Sequence, residues 1–471
     1  MVFSSLFFVF AFLPVTVLLY YSLGKHLRNV VLLAASLFFY AWGEPVYVLL
    51  MGGSIVINYR IGTLLGSLGR DASQRRKRQL VLILGLVFNL GCLAYFKYCG
   101  LIISTIASLG GWNLQAGAPA LPLGISFYTF HTLSYVFDVY RRKVKPQQSL
   151  LLFALYIAMF PQLVAGPIVK YAEIESQLAV RSTTFPEFNS GLRRFLCGLA
   201  KKVLLANNIG LLWSEVKALP AAEISVLLAW AGIIAFALQI YFDFSGYSDM
   251  AIGLGKMFGF RFQENFRSPY LAQSVSEFWR RWHISLGAWF KEYVYIPLGG
   301  SRAGKWKLLR NLAGVWFLTG LWHGASWNFV LWGLYFGIAI SAEKLLLLKS
   351  MARWPQAVRH LYLVLLVLIG WVFFEFSNLT DGLGFLGIMF RAGGQALIDQ
   401  PALVKLKAYA VCYLVCILAA SPGPKKAALS VQRILGPLYE SAVSVSYGAL
   451  MLWTTAYMVA STYNPFIYFR F

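Results

Sequence analysis

Long, predominantly apolar runs recur from one end of the chain to the other, for example Leu80–Cys99, Ile224–Phe242 and Leu361–Phe374. An α-helix needs about 20 such residues to cross roughly 30 Å of hydrocarbon. Hydrophobic residues make up 59% of the 471 positions and charged residues only 13%, so the length cannot be divided into soluble domains. The chain is expected to be an all-α polytopic membrane protein with about 11 transmembrane helices. The first run, "VFSSLFFVFAFLPVTVLLYYSLG", has no basic residues before it and no small-residue cleavage site after it. It is expected to be a retained span, not a cleaved signal.

The formal charge is +23, and the cations sit in short segments between apolar runs. Loading of cytoplasmic loops with Lys and Arg accounts for that distribution. It argues against a nucleic-acid partner, because no soluble basic domain is present. The basic stretches at Arg70–Arg78, Arg141–Lys145 and Pro422–Arg433 are expected on the cytoplasmic side, and the uncharged Gly100–Ala120 outside. Threading the chain through these constraints puts both termini outside, with a last span near Ser441–Thr462 and "FIYFRF" (466–471) at the outer surface. Residues 1–471 are read as one membrane domain; no internal repeat is visible. The five cysteines (Cys92, Cys99, Cys197, Cys412 and Cys416) lack C-x-x-C spacing and read as small buried apolar residues, and no metal is expected.

Two segments break the pattern of simple spans. "MFPQLVAGPIVKY" (Met159–Tyr171) carries two prolines and a glycine at membrane depth, tolerated where backbone is enclosed by protein or lines a cavity. "SEFWRRWHISLGAWFKEYVYIPLGG" (Ser276–Gly300) mixes cations and tryptophans with apolar residues, as an amphipathic or re-entrant segment would.

Between Arg310 and Glu343 lie 32 residues in which the one side chain that titrates near neutral pH is His323. As one helix they would extend about 48 Å, too long for a simple crossing. The stretch must tilt, break or fold back, and Gly320 and Gly324 offer the break. A histidine at membrane depth marks a functional site; the bland alternative is a neutral ring bonded between helices. His283, 40 residues earlier, is a second candidate. His131 reads as a packing residue able to line the same cavity, and His26 and His360 as surface histidines. Asp243 and Asp249 in "YFDFSGYSDMAIGLGKMFGF" are helix caps or charge partners before they are catalytic acids. Arg280, Arg281, Lys291, Arg302, Lys305, Lys307 and Arg310 fall within 31 positions, interleaved with Trp279, Trp282, Trp289 and Trp306. That mixture suits a phosphorylated, partly aromatic ligand such as coenzyme A. No G-x-S-x-G elbow, Walker A loop or dinucleotide fingerprint is present.

"GLWHGASWNFVLWG", preceded by "EFWRRWHISLGAWFKEYVYIPLGG" and "YFDFSGYSDMAIGLG", resembles the membrane-bound O-acyltransferase (MBOAT) family. "PLGISFYTFHTLSYVFDVYR", "FPQLVAGPIVKY" and the opening "MVFSS…FLP…YY" extend the resemblance over nearly the whole chain. It is nearest to the bacterial branch of alginate O-acetyltransferase membrane subunits. The resemblance implies a ring of tilted helices around a thin centre, with His323 catalytic and His283 the second functional position. It also implies acetyl-CoA as donor, entering from the cytoplasm near Arg280, Arg281, Trp282, Arg302 and Lys305. The implied setting is the bacterial inner membrane, and the implied partner an extracytoplasmic subunit that acetylates a polysaccharide.

The terminal "FIYFRF" resembles a phenylalanine–x–tyrosine–x–x–phenylalanine pattern that ends a small companion protein of the teichoic-acid D-alanylation system, with Phe466, Tyr468 and Phe471 at the matching positions. By that likeness Tyr468 is a candidate acetyl carrier. Phenol, with a pKa of about 10, lies between a thiol at about 8.5 and a sugar hydroxyl, so a phenyl ester can receive acetyl from a thioester and still pass it to sugar. The alternative for Tyr468 is an aromatic-belt residue that anchors the last helix. Other glycans (peptidoglycan or cellulose), a transporter with His323 on a solute path, and a scaffold for an export complex are the competing readings.

Overall fold

The computed structural model describes residues 1–69, 71–112, 117, 119–302 and 304–460. Tyr468 and the rest of the 466–471 motif lie outside the described residues. Helix is the one regular element among those described. Eight helices are long and apolar enough to cross a membrane: Tyr47–Ser67, Ser73–Gly110, Phe185–Lys217, Val226–Met257, Trp327–Met351, Gln356–Glu375, Gln400–Ala419 and Lys426–Ala460. Three shorter apolar helices, Phe8–Ser22, Arg28–Ala41 and Leu379–Met389, add to them. The first apolar run therefore forms a helix shorter than a full crossing. The basic stretch at Pro422–Arg433, expected as a loop, is helical over Gly423–Leu435.

The described chain packs as two compact units. The first comprises Met1–Phe195, Ser248–Gln263 and Lys291–Tyr293. In hydrocarbon, lipid tails are as apolar as leucine, so helices associate through close packing and polar contacts. Here Asn58 and Asn89 exchange amide hydrogen bonds of 3.0 and 2.7 Å, and Thr132 donates to Asn89 Oδ1 at 3.0 Å. That buried knot ties three helices. The proline-broken Met159–Tyr171 stretch is almost entirely buried, and side chains satisfy its loose backbone. Ser36 Oγ accepts from Phe160 N at 3.1 Å, and Tyr156 Oη donates to Val169 O at 2.9 Å. Glu292 pairs with Lys143 at 2.6 Å and Lys170 at 2.8 Å. Burial raises the Glu292 pKa, but the two lysines outweigh it and hold the carboxyl below its ordinary range.

The second unit comprises Leu196–Tyr247, Glu264–Phe290 and Val294–Phe471. Its core is aromatic. Trp332 and Trp371 are fully buried, and Trp279, Trp282, Phe278, Phe336 and Phe374 pack around them with ring centroids 4.9–6.4 Å apart. Each such pair contributes about 0.5–1.5 kcal/mol beyond its buried area.

Candidate active site

The 32-residue stretch between Arg310 and Glu343 both breaks and folds back. One helix runs Lys305–His323 and ends on the histidine; a new one starts at Trp327. The two helices approach backbone to backbone, because glycine stands where any side chain would collide. A Cβ on Gly320 would lie 2.3 Å from Phe329 O, and one on Gly333 2.3 Å from Trp316 O. Gly320 is thus part of the seam of the hairpin and Gly324 part of its turn. His323, 5% exposed, packs against Trp322 (ring centroids 4.8 Å), Trp332 (4.8 Å) and Phe374 (5.3 Å). Its place in the last turn of a helix puts the ring where backbone carbonyl dipoles favour positive charge.

His283 sits between two seven-residue helices, Val275–Arg281 and Ile284–Phe290, both far too short to cross a membrane. Its φ is +46°, in the left-handed region that non-glycine residues seldom occupy. Such strain persists only where surrounding structure imposes it. Here the backbone is pinned on both sides: Arg267 N donates to Arg281 O and Ile284 N to Asn265 O, each at 3.0 Å. His283 Nδ1 lies 3.2 Å from Asn265 Oδ1, and its ring packs edge-on to Phe244 at 4.7 Å. The Trp322 ring lies 5.7 Å from the His283 ring and 4.8 Å from that of His323. Two side chains 40 positions apart in sequence thereby pack against one indole.

The remaining candidates are placed differently. Trp282, proposed above as a donor contact, is 3% exposed and packed among Phe266, Phe278 and Trp371. That is a core position. Arg281 is held by Glu277 at 2.5 Å, whereas Arg280, Arg302 and Lys305 are exposed. Trp306, 85% exposed, accompanies Lys305 on the first turn of the Lys305–His323 helix. Asp243 forms a buried ion pair with Lys202 at 2.6 Å, and Asp249 pairs with Arg194 at 2.8 Å. Both are charge partners, but of cations outside the Arg280–Arg310 cluster. His131 is fully buried in the first unit, its ring 5.6 Å from Tyr156. His26 is exposed, and His360 is half-buried beside Ala272 O. Among the described residues, no three His, Cys, Asp or Glu side chains gather as a metal site would require. Sequence reasoning missed Asn265, Lys202, Trp332 and Phe374, since no spacing rule joins residues so distant along the chain.

The family model of the membrane-bound O-acyltransferases matches residues 92–383, which include both histidines. The chain is 38% identical over 491 residues to the probable alginate O-acetylase AlgI of Pseudomonas putida, covering 100% of each protein. It is 35% identical to the peptidoglycan O-acetyltransferase of Helicobacter pylori, over 84% of this chain and 81% of that one. The teichoic acid D-alanyltransferase of Bacillus subtilis is 26% identical, over 56% of this chain and 72% of its own. With these relatives, a matching family model and eight helices long and apolar enough to cross a membrane, the chain belongs to the MBOAT family and is a multi-pass membrane acyltransferase.

Proposed function

We propose that the protein takes acetyl groups from acetyl-CoA at the cytoplasmic face of the bacterial inner membrane and delivers them to an extracytoplasmic partner that O-acetylates an alginate-like exopolysaccharide. The observation that carries this reading is the end-to-end similarity to a probable alginate O-acetylase, combined with a buried histidine pair about a single tryptophan. The donor would be met by the exposed cations Arg280, Arg302 and Lys305.

His323 acts as general base. It takes the phenolic proton of Tyr468 as the oxygen attacks the thioester carbonyl; the C–O bond forms, the C–S bond breaks, and the proton passes to the departing thiolate. Neutral imidazole suits that task near pH 7, and the aromatic wall keeps water from competing for the acyl group. His283 orients the reacting groups. The acetyl-tyrosine then presents its ester to the partner outside, where both termini lie, and Phe466 and Phe471 grip the carrier. Acetylation of peptidoglycan by the same relay is the second reading, favoured by the similarity to the Helicobacter pylori enzyme.

Mass spectrometry of the C-terminal peptide after incubation with acetyl-CoA tests the relay. The expected result is an acetyl adduct on Tyr468 that is absent from Tyr468→Phe. Full glycan acetylation by Tyr468→Phe, with no adduct in the wild type, would leave Tyr468 as an interfacial anchor.

A further inference from the structure

Asn265 reaches the His283 turn by three routes. Its carbonyl oxygen accepts from Ile284 N at 3.0 Å. Its side-chain oxygen accepts from Ser285 N at 3.2 Å and from Ser285 Oγ at 2.9 Å. The same oxygen lies 3.2 Å from His283 Nδ1. These contacts settle a question that positions alone leave open, namely which ring nitrogen carries the hydrogen. A backbone N–H can only donate, so the amide atom facing Ser285 N is the oxygen and not the nitrogen. An amide oxygen can only accept. His283 Nδ1, facing that oxygen, therefore carries the hydrogen, and in the neutral ring the lone pair is on Nε2.

We propose that Asn265 is a positioning residue that locks His283 in the Nδ1–H tautomer, so that His283 addresses the reacting groups as an acceptor through Nε2. The proposal rests on the reading of His283 as a functional residue. It explains why a strained left-handed backbone is kept at this position. The turn aims the ring, the two backbone hydrogen bonds hold the turn, and the amide oxygen sets the ring's hydrogen. In metal-free sites as in metal sites, the partner of one imidazole nitrogen decides what the other can do.

The elements touching the ring carry few titratable groups. Asp243, paired with Lys202, and Tyr241 and Tyr247 are on the helix of Phe244. His323 follows Trp322, Glu264 precedes Asn265, and Arg281, paired with Glu277, lies two residues before the histidine. A new carboxylate at 265 would touch the ring itself and favour its charged form.

The test measures thiol release from acetyl-CoA by the full-length protein in lipid nanodiscs, from about pH 5 to about pH 9, a range that brackets imidazole titration. Asn265→Asp keeps an acceptor oxygen in place but adds charge. It should accumulate normally and shift the acid limb of the rate profile to higher pH, because a ring that holds its proton more tightly is blocked over a wider acid range. Asn265→Ala should lower turnover by up to about tenfold, with Asn265→Asp recovering most of it at high pH. In a His283→Ala background, Asn265→Ala should change turnover less than about twofold, since two residues acting through one ring do not add. An unshifted acid limb in Asn265→Asp overturns the proposal, as does an additive loss in the double variant, or failure of Asn265→Asp to accumulate, which would make the residue structural. If His283→Ala turns over like wild type, the functional reading of His283 fails instead, and the proposal falls with it.

Discussion

The two buried histidines of the second unit are held in opposite ways. His323 ends a long helix, and rings enclose it: Trp322, Trp332 and Phe374. The tightness comes from backbone, through the Gly320 and Gly333 approach that zips the hairpin. His283 sits in a strained turn between two short helices, and polar atoms orient it: the Asn265 amide and the Ser285 hydroxyl that shares its oxygen. Aromatic rings packed around a base exclude water from it. A polar cradle fixes which nitrogen is available. On the proposed mechanism, the difference assigns proton exchange to the first ring and orientation to the second.

That contrast is broken most forcefully at the rings themselves. Glutamine can mimic one hydrogen bond of imidazole but cannot take a proton. His323→Gln should lose roughly 10²–10⁴-fold in transfer, the usual range for a removed general base. His283→Gln should lose less, about tenfold, when glycan-linked acetate is assayed in cells carrying each variant. Equal losses would erase the distinction.

Next in size is the Lys202–Asp243 pair, both side chains 3% exposed, with Asp243 on the helix whose Phe244 seats His283. Lys202→Met strands a buried carboxylate and should cost about 3–5 kcal/mol, whereas Lys202→Met with Asp243→Leu should recover much of it. Thermal unfolding in detergent measures both. A smaller effect separates the glycines of the two sites. Gly320→Ala drives a methyl into Phe329 O and should cost about 1–3 kcal/mol. At Gly287, a Cβ meets Trp279 O only at 3.9 Å, so Gly287→Ala should be neutral or stabilise by up to about 1 kcal/mol through helix propensity.

The smallest effect lies in the other unit and serves as a control. Glu292→Gln removes the partner of Lys143 and one partner of Lys170, which keeps Glu173 at 2.8 Å. For a partly exposed network the loss should be about 1 kcal/mol or less. Because the Glu292 pKa is depressed, burial being outweighed by its lysines, its contribution is present above the unfolded carboxyl pKa of about 4.3. It disappears as pH falls through the folded value. Melting curves of wild type and Glu292→Gln should converge in acid while turnover stays unchanged at neutral pH.

Much of this was legible in the sequence. Run lengths gave the membrane class, and the excess of residues between Arg310 and Glu343 demanded the fold-back that occurs at Gly324. The prolines of Met159–Tyr171 announced an enclosed irregular segment. What sequence could not convey was contact between distant positions. Asn265 meets His283 across 18 residues and Lys202 meets Asp243 across 41, and neither separation is a helical or strand period. An aromatic beside arginines suits a ligand pocket and a core equally, and Trp282 packs in the core. The helix at Gly423–Leu435 was overlooked because a cationic face hides its apolar one.

The most direct test of the account is thioester turnover by equal amounts of folded wild type and His323→Ala in nanodiscs supplied with acetyl-CoA. The account predicts steady thiol release from the wild type and release at the buffer rate from His323→Ala, with coenzyme binding retained because the exposed cations at Arg302 and Lys305 are untouched. Wild-type release from His323→Ala would contradict it and move the chemistry away from the histidine pair.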